Sequence, residues 1–147
     1  MRNQKQSFYT IIIGCGRLGA TLADALSAQG KDVTIVDKSQ SAFRKLSCGF
    51  AGMTKLGNGL NLDTLSEIEM AHADEVLVVT DNDNVNVMIA QMAQTIYHVD
   101  HVVARLYDPD KKVIMQNAGM DVVCPCELSF AAMQAFIEPG KETSHAA

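Results

Sequence analysis

Apolar residues come in two rhythms along this chain. Six short stretches hold them in continuous or alternating runs rich in β-branched residues, at 8–13, 32–37, 53–56, 75–80, 101–106 and 121–123, and these read as strands. Between them, apolar positions recur at three-to-four spacing. Residues 17–29 place Leu18, Leu22, Ala25, Leu26 and Gln29 on one stripe, with Gly30 where a helix-ending glycine belongs. Ser39 opens and caps a second helix over 40–48, with Ala42, Phe43 and Leu46 as its buried stripe. A third covers 62–70 through Leu62, Leu65, Ile68 and Met70, and a fourth, 85–97, carries Val85, Met88, Ile89, Met92, Ala93 and Ile96 at helical period. Asp108-Pro109 starts a fifth with proline at N1; it carries Val113, Ile114 and Ala118 and ends at Gly119. A last amphipathic helix, 128–137, shows Phe130, Met133, Phe136 and Ile137.

Strands alternating with helices predict the α/β class: a Rossmann-like, doubly wound parallel sheet of six strands in the order 3-2-1-4-5-6, with right-handed crossovers and helices on both faces. The continuous run Val33-Thr34-Ile35-Val36 suits a strand covered on both faces. In such a sheet ligands lie beyond the carboxyl ends of the strands, at the switch point between the first and fourth.

The chemistry falls at those ends. Residues 10–20 read T-I-I-I-G-C-G-R-L-G-A, a strand running into Gly14-x-Gly16-x-x-Gly19 and then a helix. Gly14 serves the tight turn, Gly16 the close approach of a phosphate to the main chain, and Gly19 the contact of helix with strand. Free amides and the positive end of the helix dipole face that turn, so the expected guest is a phosphate or pyrophosphate. Cys15, Arg17 and Leu18 belong to the same loop; a cation such as Arg17 at a helix N-terminus implies an anion that offsets it. The second strand ends in Asp37, whose carboxylate can accept both hydrogen bonds of a ribose diol and would repel a 2′-phosphate, an effect softened by Lys38. Gly57-Asn58-Gly59 permits positive φ and close backbone approach. Thr80, Asp81 and Asn82 open the loop after the fourth strand, where Asp81, Asn82 and Asp83 divide between helix capping and ligand contact. Arg105 ends a strand that is otherwise buried; it is expected to meet a phosphate or an acid such as Asp81 or Asp108.

Composition narrows the picture. The 147 residues make one domain, 8–138, between a flexible leader, 1–7, and a polar tail, 139–147. With 48% hydrophobic and 20% charged residues the balance is that of a compact α/β protein. A net charge of −5 argues against a nucleic-acid backbone or anionic membrane as general partner, so any bound anion is captured by local geometry. No apolar run approaches the roughly eighteen residues of a membrane span, and the polar start lacks a signal peptide's middle, so the expected location is cytoplasmic. Cys15, Cys48, Cys124 and Cys126 form no disulfide framework; Cys124-Pro125-Cys126 is too short for a C-x-x-C pair, so no metal is expected. Cys15, near a helix N-terminus, is the one candidate for a lowered thiol pKa. His72, His98, His101 and His145 have no catalytic partner by spacing and read as surface residues, and the methionines as packing.

Taken together, I-I-I-G-C-G-R-L-G-A, V-T-I-V-D-K, A-D-E-V-L-V-V-T-D-N-D-x-V-N, V-V-A-R-L-Y-D-P and G-M-D-V-V-C-P resemble the nucleotide-binding lobe of the regulator-of-potassium-conductance family, the TrkA-N or KTN domains of bacterial potassium uptake systems and gated channels. The likeness spans about residues 8–138. It implies a site for NAD(H), ATP, ADP or AMP whose occupancy reaches a membrane transporter or channel subunit as a change of shape, in a homo-oligomer at the inner face of the cell membrane. By resemblance Gly14, Gly16 and Gly19 hold the phosphates, Arg17 caps a terminal phosphate and Asp37 takes the adenosine ribose. Asn58 faces the adenine beside Gly59, Thr80 to Asn82 close the cleft, and Arg105 lies near the phosphates or the ring assembly. Two departures stand out. Gly57-Asn58-Gly59-Leu60 replaces the usual Gly-Asp-Ala/Pro-Thr, exchanging an adenine-side carboxylate for an amide. The smaller C-terminal lobe of many members has no counterpart in these residues, so its effectors are not expected to be sensed here.

Two other functions compete with a non-catalytic sensor. A nicotinamide-dependent oxidoreductase would need a substrate pocket and a proton donor; Tyr107 and Lys111 have the Tyr-x-x-x-Lys spacing but sit at the start of the fifth helix. A structural assembly module would use the 130–137 helix as a dimer seam.

Overall fold

A computed structural model describes residues 7–137; apart from Ser7, the expected leader and polar tail lie outside the described residues, as does His145. Strand β1 (Tyr9–Ile13) alternates its isoleucines between two cores, Ile11 and Ile13 on one face and Ile12 on the other, all nearly free of solvent contact. Helix α1 (Arg17–Ala28) follows, burying only the small residues Gly19, Ala20 and Ala23. The chain continues through β2 (Asp32–Asp37), a 3-10 turn (Gln40–Lys45), β3 (Met53–Leu56), α2 (Leu62–Glu67) and a second 3-10 turn (Met70–His72). It ends with β4 (Glu75–Val78), α3 (Asp83–Thr95), β5 (His101–Arg105), α4 (Pro109–Asn117), β6 (Asp121–Val123) and α5 (Pro125–Ile137).

The six strands form one parallel sheet in the order β3-β2-β1-β4-β5-β6, as expected. Ile13 pairs with both Val36 and Val78, which places the carboxyl ends of β1, β2 and β4 side by side. One core packs α2, α3 and α4 on the sheet through Leu65, Ile89, Ala93 and Met115; the other packs α1 and the first 3-10 turn through Ala20, Ala23 and Ala42. Such two-sided covering is what right-handed crossovers give a sheet whose chain reverses direction at β1. Among the described residues no helix is long and apolar enough to cross a membrane.

Several boundaries depart from expectation, each for a local reason. The segment after β2 winds as a 3-10 turn rather than a helix over 40–48: the Asp24 carboxylate on α1 takes both the N–H and the hydroxyl of Ser47 and fixes the exit of the turn. Ser39 does not cap it, its hydroxyl pairing instead with that of Ser41. Helix α2 stops at Glu67 because the Tyr9 hydroxyl donates to the Ile68 carbonyl at 2.6 Å and Glu69 turns into the left-handed region at φ 55°. Strand β4 ends at Val78, not Thr80, since the next carbonyls turn toward Arg105. On α4 the buried residue is Met115, while Val113 and Ile114 face water; on α3 Met88 and Ile96 are likewise outside and Asn86 inside. Helix α5 begins at Pro125 and buries none of its residues, leaving the expected apolar stripe wholly exposed.

Gly19 is the tightest of the described glycines: a Cβ there would stand 1.9 Å from the Gly14 carbonyl oxygen, against nothing within 4 Å at Gly16. Gly19→Ala should therefore lose at least about 1–3 kcal/mol of stability by overpacking. Gly16→Ala should lose less than about 1 kcal/mol at its cap position. Urea unfolding of the two variants measures the difference.

Candidate functional site

At the carboxyl ends of β1, β2 and β4 a cleft of about 500 Å³ opens. Its floor is the turn after β1. Gly14 holds φ 106° with its N–H on the Val36 carbonyl (2.8 Å), and a Cβ there would meet the Thr80 amide nitrogen at 2.9 Å. Only glycine fits so closely to the neighbouring chain at that φ. Gly16 caps α1 without any side-chain bond, and the first helix-closing bond runs from the Ala20 N–H to the Gly16 carbonyl. The N–H groups ahead of it have no partner within the helix, and Gly16, which lines the cleft, sets the positive end of the helix dipole beside it.

Asp37 holds this floor in place. One carboxylate oxygen accepts the Cys15 N–H and the other the Ser39 N–H, both at 2.8 Å. The acid is thus both the brace of the glycine turn and the cap of its own turn, with lone pairs left over on each oxygen. Lys38 lines the cleft beside it, as does Lys45, a second cation whose place on the 3-10 turn the sequence did not mark as part of the site.

The far walls come from two loops. Asn58 folds back so that its Oδ1 accepts the Leu60 N–H (3.0 Å). Gly57 and Gly59 do not use the positive φ expected of them; they are glycine for room, a Cβ on Gly59 meeting Ile13 and Ile89 side chains at 2.7 and 2.9 Å. Thr80, Asp81 and Asn82 form the opposite rim. Asn82 caps α3 by accepting the Val85 N–H, and Asp83 reaches across to accept the N–H groups of Tyr107 and Asp108, both at 2.9 Å. Asp81 stands exposed on the rim.

Arg105 lines the cleft but meets neither Asp81 nor Asp108. Its Nη2 donates to the carbonyls of Val79 and Thr80, each at 2.9 Å, and its guanidinium lies 5.3 Å from the Tyr107 ring centre. Its Nε, buried, is the one buried side-chain polar atom without a partner among the described residues. A guanidinium held by neutral carbonyls keeps its positive charge uncompensated.

The structure therefore brings Gly14, Cys15, Gly16, Asp37, Lys38, Asn58, Gly59, Thr80, Asp81, Asn82 and Arg105 around one cleft. Arg17 and Leu18 are exposed on the first turn of α1 outside its wall, and Gly19 packs beneath it. Cys15 reverses the expected direction: burial pushes its thiol pKa up, the Asp37 charge adds to this, Lys45 opposes it, and the Sγ lies 3.4 Å from the Ala42 carbonyl. Asn86, fully buried at the end of the T-D-N-D-x-V-N run, was not singled out; an asparagine at a position where α3 must be apolar was the available signal. His101 does have acidic partners, Glu75 at 2.9 Å and Asp121 at 3.3 Å, supplied by the adjacent strands at the other end of the sheet.

A larger groove, about 950 Å³, opens at the amino ends of β1 and β2, lined by Tyr9, Lys31, Asp32, Glu69 and Asp74 among others. It has neither the glycine turn nor the opening of α1, and it lies at the end of the sheet where ligands of such folds do not bind.

Comparison with known proteins bears on the family of the chain. The family model described as the TrkA-N domain matches residues 10–125. The Trk system potassium uptake protein TrkA of Streptomyces coelicolor is 36% identical over 115 residues, which are 78% of this chain and 52% of that protein. The chain spans about half the length of that curated relative. Among solved structures, the TrkA-N domain of the inner membrane protein ybaL from Escherichia coli superposes with a TM-score of 0.79 at 18% identity, covering 91% of this chain and 99% of that one. The GsuK protein bound to ADP superposes with a TM-score of 0.77 at 20% identity, over 93% of this chain and 35% of that one. A family model that accounts for most of the sequence, and a relative sharing more than a third of the aligned residues, leave one conclusion: this chain belongs to the TrkA-N family.

Proposed function

We propose that this chain is a non-catalytic regulatory domain. It binds an adenine nucleotide, NAD(H), ATP, ADP or AMP, in the switch-point cleft and passes the occupancy to a potassium transporter or channel subunit at the inner face of the cell membrane. The observation that carries the reading is the convergence of unlike binding groups on one cleft: amides at the head of α1, a braced carboxylate at Asp37, and the uncompensated Arg105 charge with its buried, unpartnered Nε. The donor set fits a nucleotide: amides and guanidinium for phosphate oxygens, carboxylate for a ribose diol, and open space at the Gly16 Cβ position for close approach. The ionisable groups of the wall are Cys15, Asp37, Lys38, Lys45, Asp81 and Arg105, a set suited to holding charge rather than to relaying protons. Relatives named as potassium uptake proteins, and an ADP-bound structural neighbour, support the same reading.

The assembly is a homo-oligomer with α5 as its seam. Leu128, Phe130, Met133, Phe136 and Ile137 are 62–78% exposed on a helix that buries nothing against its own chain. A helix of about three to four turns is marginal in water unless such a surface is covered.

Calorimetry with AMP, ADP, ATP, NAD and NADH should find at least one that binds at or below millimolar concentration; silence from all five removes the reading. Asp37→Asn, which swaps an acceptor for a donor at the ribose, should weaken the best of them about tenfold or more, on the scale of a hydrogen bond to a charged group. Light scattering should give a dimer or larger for the full chain, and Met133→Glu with Phe136→Glu should move the mass toward the monomer. An unchanged oligomer would exclude this helix as the seam.

A further inference from the structure

The pairing of β4 with β5 stops at Val78 and Ala104, and the strands then part to make room for the cleft. Parting leaves the Thr80 N–H and carbonyl and the Arg105 carbonyl without partners across β4 and β5 in a partly buried place, where each would be costly if unpaired. A single side chain takes them up. Asn86, in the first turn of α3 and with no solvent exposure, accepts the Thr80 N–H at 3.1 Å and the Thr80 hydroxyl through Oδ1. Its Nδ2 donates to the Thr80 carbonyl at 3.0 Å and to the Arg105 carbonyl at 2.8 Å. These four bonds use both donors and both acceptor positions of an amide. Aspartate lacks the donors.

The same Thr80 carbonyl accepts the Arg105 guanidinium through Nη2. Asn86 therefore fixes Arg105 twice, at its main chain and at the carbonyl on which its charged end rests. That guanidinium keeps N–H groups that nothing among the described residues accepts, the buried Nε among them, on a residue that lines the cleft.

We infer that Asn86 is a positioning residue of the nucleotide site: it sets the Arg105 guanidinium against the ligand's phosphates without touching the ligand. This rests on the nucleotide reading above and adds to it the group by which the charged end of the ligand is registered. A purely structural Asn86 would hold the fold together and leave base, sugar and phosphate recognition equally affected when it is lost.

The experiment is a double-mutant cycle on the full chain, with ADP and adenosine as probes in calorimetry. Asn86→Ala and Arg105→Gln should each weaken ADP about tenfold while moving adenosine less than about twofold. The double variant should bind ADP no more weakly than the weaker single one, because the first residue acts through the second. Additive losses of ADP affinity, or equal losses for ADP and adenosine, overturn the inference. If Asn86→Ala melts below the assay temperature, Asn86→Ser carries the same cycle. Wild-type protein that ignores ADP, the other nucleotides and adenosine refutes the nucleotide reading and this role with it, whereas wild-type binding with additive losses refutes this role alone.

Discussion

Everything at the functional end of this molecule depends on how closely the head of α1 is allowed to approach the end of β1. The Gly14 carbonyl occupies space that any side chain at residue 19 would need. With hydrogens at both positions the head of the helix drops onto the strand end, and Gly16, its N-cap residue, comes to line the cleft. The Asp37 carboxylate then locks the turn from the neighbouring strand through the Cys15 amide. A single acid thus serves two demands, bracing a loop and presenting negative charge, and the brace is what keeps that charge fixed in direction.

A parallel sheet that opens a crevice at its switch point must dispose of the peptide groups the opening exposes. Here the cost is met by side chains: Asn86 and Arg105 replace the missing ladder bonds at the ends of β4 and β5. The use of a cation for that purpose is informative, since a neutral donor would bond two carbonyls as well. After the carbonyls are satisfied the charge faces the Tyr107 ring and the cleft that Arg105 lines. Asp83 extends the same stitching to the turn before α4, and Lys112 on α4 pairs with Glu127 on α5, so the cleft rim and the exposed apolar helix belong to one connected set of contacts.

The composition of α5 fits a part that is covered in an assembly. Its thirteen residues hold three polar side chains after Cys126, namely Glu127, Ser129 and Gln134, of which Glu127 and Gln134 share a face, and the rest are apolar. Such an excess of exposed apolar residues is what the seam proposed for this helix would use.

The fold was open to reading from the chain because its signals are local and periodic. The switch from period two to period 3.6, the glycine spacing after Ile13 and the acid after Val36 are each fixed by the geometry of one strand or one turn, and they specify sheet order and the location of the cleft through general rules of parallel sheets. The tertiary structure alone decided what depends on contacts between distant segments. Arg105 rests on carbonyls instead of an acid, Asn86 is the hidden keystone of the far wall, Cys15 is buried with a raised pKa, and β4 stops two residues early. The helix after β2 tightens to a 3-10 turn because Asp24 on another helix holds its exit, and Met115 rather than Val113 or Ile114 turns inward. A sequence shows which residues can bond or bury; only the assembled neighbours, brought together across many positions, determine which partners are within reach.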